Sequence, residues 1–196
     1  MGLSIHYRGK FNTTASLTKM IDEIKDIAKT LQWSFTFFET EFPEKSFETE
    51  NYNDKVYGIC FSRPECEPVF FSFLSNGKMS SFINLEFYGN SNDKTYQDYL
   101  YMLSTKIQFA GYKNHILVVE LMKHLSKKYL SEFKMTDEGE YWETENEELL
   151  KENFKRYEGL MNLVTGALES SSRKTGESAM AYLENGLSNL SAKMGI

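Results

Sequence analysis

Apolar and polar positions repeat with a recognisable period along much of this chain. Side chains alternate between apolar and polar over residues 3–8, and this period of two predicts a half-buried strand. Over residues 15–32 the apolar positions recur every three or four residues, so this segment is predicted to form an amphipathic helix. Similar runs, several of them rich in aromatic residues, predict further strands at 33–39, 56–62, 69–74, 81–87 and 100–110.

The second half of the chain changes to helical spacing. Residues 112–130 carry a wide apolar face beside a polar stripe, which predicts a helix packed onto the sheet. Residues 144–147 (TENE) match a capping box, in which side chains satisfy the free backbone N–H groups at a helix start. Apolar positions are spaced by three and four over 150–168 and again over 180–194, so a helical hairpin is expected there.

Together these elements predict an α+β fold. We expect a largely antiparallel sheet of five or six strands, with helices on one face and a C-terminal helical pair. The Asn76-Gly77 pair predicts a tight hairpin turn within that sheet. The expected organisation is an α+β sheet domain over residues 1–143, followed by a helical hairpin over 144–196 that packs on the same domain.

Composition and charge exclude several classes of protein. The 196 residues include 15 Phe, 12 Tyr and 2 Trp, which are too many large rings for a disordered chain. The net charge is −6 and the positive residues are scattered, which argues against a nucleic-acid partner. We see neither an 18-residue apolar run nor a secretory signal, so we expect a cytoplasmic protein that binds no membrane.

The usual motifs of catalytic, metal and cofactor sites are absent from the sequence. It contains no glycine-rich phosphate loop, no HExxH helix and no GxSxG elbow, so no cofactor is predicted. The two cysteines, Cys60 and Cys66, do not form a CxxC pair. We expect two free thiols in or beside a hairpin.

The densest polar feature is the acidic stretch at 137–148, which holds seven carboxylates and no basic residue. Carboxylate oxygens are the ligands that Mg²⁺ and Ca²⁺ prefer, so Asp137, Glu138 and Glu140 are candidates for a metal site. The same glutamates, together with His115, are candidates for acid–base catalysis if their pKa values are driven apart. The alternative is a solvated acidic turn that leads into a helix.

Two further groups of residues are candidates for binding. Tyr141 and Trp142 lie within the acidic stretch, where their rings could pack inward and hold the turn. His6 and Arg8 alternate with the apolar residues of the first strand, and Lys106 and Gln108 do the same in the segment 100–110. If these two strands are neighbours, the four side chains form a polar patch that can bind an anion or a carboxylate. The alternative is an ordinary exposed sheet face.

Two segments resemble stretches of uncharacterised bacterial proteins. They are TKIQFAG at 105–111, with His115 downstream, and DEGEYWET at 137–144. The resemblance covers residues 99–150. It implies a bacterial source and no particular activity.

Two functions are consistent with these observations. The first is a non-catalytic binding or protein-interaction module of the bacterial cytosol, with a protein partner or a second copy of the chain as its target. The aromatic segment 33–57, and Phe42, Phe47 and Tyr52 within it, would supply the contact surface. The second is a small hydrolase-type enzyme with a carboxylate and histidine cleft, dependent on a divalent metal in one version. The sequence does not decide whether the chain is an enzyme.

Overall fold

A computed structural model describes residues 3–91 and 93–170, together with residues 178 and 182. It confirms an α+β fold with antiparallel sheets. The strands are β1 (Ser4–Phe11), β2 (Ser34–Phe37), β3 (Tyr57–Ser62), β4 (Val69–Phe73), β5 (Leu103–Lys106) and β6 (Leu130–Asp137). The helices are α1 (Leu17–Thr30), α2 (Phe82–Tyr88), α3 (Lys94–Leu100), α4 (Tyr112–Tyr129), α5 (Tyr141–Thr144) and α6 (Glu147–Ser170).

The strands form two sheets of three, so the expectation of one sheet with five or six strands is wrong. The strand orders are β5-β1-β6 and β2-β3-β4, and every pair is antiparallel. The hairpin turn at Asn76-Gly77 is present, but the returning chain makes only single bridges, from Lys78 to Lys10 and from Met79 to Phe73. The second sheet ends at β4 because the chain then enters α2 instead of continuing as a strand.

Two predicted strands differ from the structure. The segment 81–87 is helical, because the Ser81 hydroxyl accepts a hydrogen bond from the backbone N–H of Asn84 and caps α2. In the segment 100–110 only Leu103–Lys106 is a strand, and a 3₁₀ turn follows at Gln108–Ala110. The sixth strand is instead β6, which directly follows α4 and pairs with β1.

A buried tyrosine joins the two sheets. The hydroxyl of Tyr7 in β1 accepts a hydrogen bond from the backbone N–H of Phe70 in β4 at 2.9 Å, and it lies 3.2 Å from the Phe70 carbonyl oxygen as a donor. Burial raises the pKa of Tyr7 to about 12, against the weaker effect of its hydrogen bonds. This hydroxyl therefore stays neutral and can serve as both donor and acceptor.

The main core includes buried residues from both sheets, α1 and α4. All five residues of β4 are buried, which indicates packing on both faces of that strand. Phe71 is the register partner of Ile59. Phe70, whose side chain leaves the opposite face of the strand, contacts Phe82 of α2 with ring centroids 5.9 Å apart. The expectation that helices cover only one face is therefore wrong for the β2-β3-β4 sheet, because α2 packs on its second face.

The chain divides into two compact units, residues 1–150 and 151–196. The first helix of the predicted C-terminal pair corresponds to α6, and the second, over 180–194, lies outside the described residues except for residue 182. Asn146 rather than Thr144 caps α6, since its side-chain oxygen accepts hydrogen bonds from the N–H groups of Glu148 and Leu149. Among the described helices, none has both the length and the apolar character needed to cross a membrane.

Candidate functional site

The acidic turn between β6 and α5 is organised around a buried carboxylate. Asp137, the last residue of β6, is only 3% exposed. Its oxygens accept hydrogen bonds from the backbone N–H groups of Gly139 (2.7 Å), Tyr141 (3.0 Å) and Trp142 (3.1 Å). Asp137 thus satisfies N–H groups that the start of a helix leaves unbonded, and it holds the turn in shape.

The same carboxylate is paired with His115 of α4. The His115 Nε2 atom lies 2.8 and 2.9 Å from the two oxygens, and both side chains are 0% exposed. Burial raises the pKa of Asp137, but the hydrogen bond and attraction of His115 and the N–H groups of Gly139 and Trp142 outweigh it, so the pKa lies below its usual 3.8. A Cβ at residue 139 would lie 2.6 Å from Leu150 Cδ1, so glycine permits this close packing. The pair is closed to solvent and ties α4 to the turn.

The two glutamates of the turn lie apart from this buried pair. Glu138 is exposed, and its carboxylate accepts a hydrogen bond from the backbone N–H of Ser4 at 2.8 Å and lies 3.7 Å from His6 Nε2. Glu140 is exposed and takes the left-handed conformation, with φ 63°, just before α5. Across residues 3–91 and 93–170, no three His, Cys, Asp or Glu side chains are placed to hold a metal ion together, so Asp137, Glu138 and Glu140 form no such group.

Tyr141 and Trp142 pack against the main core from the turn. Both rings are half-buried, and the Lys123 ammonium lies 5.4 Å from the Tyr141 centroid and 5.8 Å from the Trp142 centroid. The Trp142 ring also meets Phe133 edge to face, at 5.7 Å between centroids. Through these contacts the two rings hold the turn against α4 and β6.

The polar sheet face predicted from the sequence exists in part. β1 and β5 are neighbours, and Ser4 lies opposite Lys106 in their register. Lys106 therefore shares a sheet face with His6 and Arg8, on the side away from the core. Gln108 is not part of this face, because it begins the 3₁₀ turn beyond β5.

A surface that the sequence analysis did not identify lies on α2, on α3 and on Met102, two residues beyond α3. Large apolar side chains there are at least 41% exposed, and Phe87 reaches 74%. Large apolar patches on a protein surface mark sites of interaction. We call this set the aromatic surface, and its members are Phe82, Ile83, Phe87, Tyr96, Tyr99 and Met102.

Ring contacts and helix caps hold the aromatic surface in place. Tyr88 stacks on Tyr96 at 5.8 Å between centroids and also contacts Tyr99 at 5.7 Å. Asp93 caps α3 by accepting a hydrogen bond from the N–H of Thr95. The Asn84 amide donates to the carbonyl oxygens of Tyr99 (3.0 Å) and Met102 (2.9 Å), which fixes α2 against the end of α3. The surface is therefore preorganised.

A concavity of about 760 Å³ adjoins the aromatic surface and shares Phe82 with it. Its apolar lining comes from Phe38, Val56, Phe82 and Leu85, and its acidic residues are Glu39, Asp54 and Glu86. Lys55 pairs with Glu39 at 2.7 Å. Among the described residues, no cationic group lies within ion-pair distance of Asp54 or Glu86. We call this concavity the acidic groove.

The three rings of the loop over residues 40–54 that we expect at a contact surface are half-buried. Phe42 and Phe47 pack against the main core, where Phe42 lies 5.2 Å from Phe11 and 4.8 Å from Phe47 between ring centroids. Tyr52 donates its hydroxyl hydrogen bond to the carbonyl oxygen of Gly89. These contacts anchor the loop to the core and to the end of α2, so its rings are less exposed than those of the aromatic surface.

The strand that periodicity predicts over residues 81–87 conceals the α2 part of the aromatic surface. In a strand Phe82 and Ile83 would lie on opposite faces, whereas on α2 both are exposed. The pair Ser81 and Asn84 is the sequence signal that favours a helix start, since a serine followed closely by a polar residue is a common cap.

Comparison of the chain with protein-family models, with curated proteins and with solved structures found no match.

Proposed function

We propose that this protein is a non-catalytic protein-interaction module that binds its partner through the aromatic surface. The observation that supports this most strongly is the exposure of Phe87, Tyr96 and Tyr99 on two capped helices that contact each other. Aromatic residues are enriched at the centres of protein interfaces, because they bury a large area with little loss of conformational freedom.

The acidic groove indicates the chemistry of the partner. Its apolar floor accepts an aliphatic or aromatic side chain, and Asp54 and Glu86 are available to pair with cations. A segment in which apolar residues are flanked by Lys or Arg is complementary to both properties. The partner is therefore a protein segment that is both apolar and basic.

An enzymatic role for His115 and Asp137 has less support. Both side chains are 0% exposed, and the Asp137 oxygens are occupied by backbone N–H groups as well as by the histidine. A general acid or base must come within hydrogen-bond reach of its substrate. The turn would have to open before this pair could do so.

The test is a selection of random peptides displayed on phage against the immobilised protein. We expect enrichment of peptides that combine aromatic or large aliphatic residues with Lys or Arg. Synthetic versions should bind the variant Phe87→Ala/Tyr96→Ala/Tyr99→Ala about 30-fold more weakly or worse, since one central interface residue alone commonly contributes about 2 kcal/mol.

The matched control is Phe37→Ala/Phe109→Ala, which removes two rings that are 52% and 64% exposed elsewhere on the first unit. It should retain the affinity of the unmodified protein. The proposal fails if both variants bind selected peptides equally, or if selection enriches acidic sequences. Sedimentation velocity at two concentrations identifies the case in which the aromatic surface pairs with a second copy of the chain.

A further inference from the structure

Basic side chains gather in a cleft beside the open face of the β5-β1-β6 sheet, although the whole chain is acidic. The cleft has a volume of about 610 Å³. Arg8 and Lys10 of β1, Lys134 of β6 and Lys78 of the hairpin after β4 all line it. We call this concavity the basic cleft. It is distinct from the acidic groove, with which it shares no lining residue.

Two of these cationic side chains are neighbours on adjacent strands of the sheet. Arg8 and Lys134 are register partners in the β1–β6 pair, so their side chains leave the same face side by side. Like charges in directly opposed positions destabilise an antiparallel pair. Over the part of the chain that the structure describes, no carboxylate lies within ion-pair distance of Arg8, Lys10 or Lys134. Their charge is therefore available to a bound anion.

The backbone places Arg8 and Lys10 together. The register between β1 and β6 shifts at Gly9, which lies between them. A Cβ at this position would lie 3.2 Å from the Phe133 ring and 3.4 Å from the Met79 sulfur, so the chain here presses closely on its neighbours. Irregularities of this kind re-aim side chains and are frequent beside binding sites.

One carboxylate already shows the preference of the cleft for negative charge. Glu50 forms an ion pair with Lys78, and this pairing, with a weaker contribution from Lys10, lowers the pKa of Glu50. The Lys78 ammonium also lies 4.9 Å from the centroid of the Tyr101 ring, which forms an aromatic wall. Glu50 therefore neutralises the charge of Lys78, and Arg8, Lys10 and Lys134 are the cations that a ligand would meet.

We infer that the basic cleft binds a phosphate monoester group through Arg8, Lys10 and Lys134. The planar guanidinium of Arg8 can donate two parallel hydrogen bonds to phosphate oxygens, and the two ammonium groups supply point charges. Asp98 and Glu132 also line the cleft, so beside the Glu50–Lys78 pair its three cations exceed its carboxylates by one charge, which favours a single phosphate group over an extended polyanion. The ligand class is thus a single phosphate group on a small molecule or on a protein side chain, not nucleic acid.

The experiment titrates the full-length ¹⁵N-labelled protein with inorganic phosphate at constant ionic strength, with chloride as the balancing salt. We expect saturable shifts of the amide signals of Gly9, Lys10 and Tyr101. The variant Arg8→Gln/Lys134→Gln should lose about tenfold or more in affinity. In chloride alone it should melt at the same or a slightly higher temperature, because a like-charge pair has been removed.

The control Lys29→Gln/Lys113→Gln removes the same amount of charge from exposed positions outside the cleft, and it should bind phosphate as the unmodified protein does. Equal weakening in the two double variants, or shifts that chloride reproduces, would overturn the inference. Titrations with a phosphoserine peptide and with adenosine monophosphate distinguish the two sources of the phosphate group. Tighter binding of the peptide assigns the group to a protein side chain, and tighter binding of the mononucleotide assigns it to a small molecule. Tighter binding of a single-stranded oligonucleotide than of the mononucleotide would also contradict it.

Discussion

Glu23 of α1 is the residue at which the two longest helices of the first unit are joined. Its carboxylate accepts hydrogen bonds from Lys128 Nζ at 2.6 Å and from the Tyr129 hydroxyl, and it lies 2.7 Å from His124 Nε2. Burial raises the pKa of Glu23, but the hydrogen bonds from Lys128, Tyr129 and His124 outweigh it and lower the pKa from 4.5 to about 2. Three groups of α4 thus stabilise one charge on α1.

This arrangement predicts a stability that depends on pH. Between pH 4.5 and 2 the unfolded chain binds a proton at Glu23 that the folded chain does not, so the contribution is complete above about pH 5 and is lost as the pH falls towards 2. Because Lys128 and His124 are more than half exposed, we discount for solvent screening and expect about 1 kcal/mol. Urea unfolding of Glu23→Gln at pH 7 should show this loss, and the difference from the unmodified protein should shrink near pH 2.

The control for Glu23→Gln is Asp22→Asn, one residue earlier on an exposed part of α1. It should change the free energy of unfolding by a few tenths of a kcal/mol at either pH. Equal losses for the two variants at pH 7 would mean that the bonds to α4 add nothing to stability.

Asp137 carries a second prediction at the residue scale. Asp137→Asn replaces a carboxylate that accepts bonds from His115 and three backbone N–H groups with an amide that has one acceptor oxygen. Leaving buried donors without an acceptor should cost about 3 kcal/mol, or roughly 6–12 °C in the melting temperature of a chain of this size. Thermal unfolding followed by circular dichroism measures the change.

Glu140→Gln changes an exposed carboxylate of the same turn and should leave the melting temperature nearly unchanged. If Asp137→Asn were equally harmless, the buried pair would not be structural, and a catalytic role for His115 would regain support. The two variants therefore separate the two interpretations of the acidic stretch.

At the scale of single elements, sequence periodicity identified those whose apolar face meets one large partner. α1 and α4 were predicted within a few residues of their ends, because each carries a continuous apolar stripe that the core covers. β1, β3 and β4 were predicted for a similar reason, since their buried positions follow from alternation or from a short apolar run.

The elements that were mispredicted are those whose apolar residues face solvent or are shared among several contacts. α2 has no buried residue, so it lacks the continuous apolar stripe that identifies a helix packed on a core. β6 has only three buried residues, Leu130, Met135 and Asp137, and one of these is charged. The partner of Asp137 was equally hidden, because His115 is 22 residues away and the pairing depends on β6 following α4 directly. Tertiary contacts decided these cases.

At the scale of the whole molecule, two concave surfaces of the first unit differ in the sign of the charge that predominates in their lining. The acidic groove offers Asp54 and Glu86, and the basic cleft offers Arg8, Lys10 and Lys134. A net charge of −6 taken alone had argued only against nucleic acid. This distribution is what the two proposals rest on, a basic segment at the acidic groove and a compact anion at the basic cleft.

The division of the chain at Leu150 leads to the last prediction. The two buried clusters described for this molecule draw all their members from residues before 150, and Leu150 itself is 0% exposed and packs by Gly139. A chain that stops at residue 158 keeps Leu150 and two further helical turns, so it keeps every described member of both clusters. Its melting temperature should lie within a few degrees of that of the full chain, and its ¹H–¹⁵N spectrum should superimpose for residues of β1 to β6.

A second truncation, after Asn146, removes Leu150 and uncovers the His115–Asp137 pair, and it should melt markedly lower. If the chain ending at 158 were instead unfolded, residues beyond it would be part of the same cooperative unit.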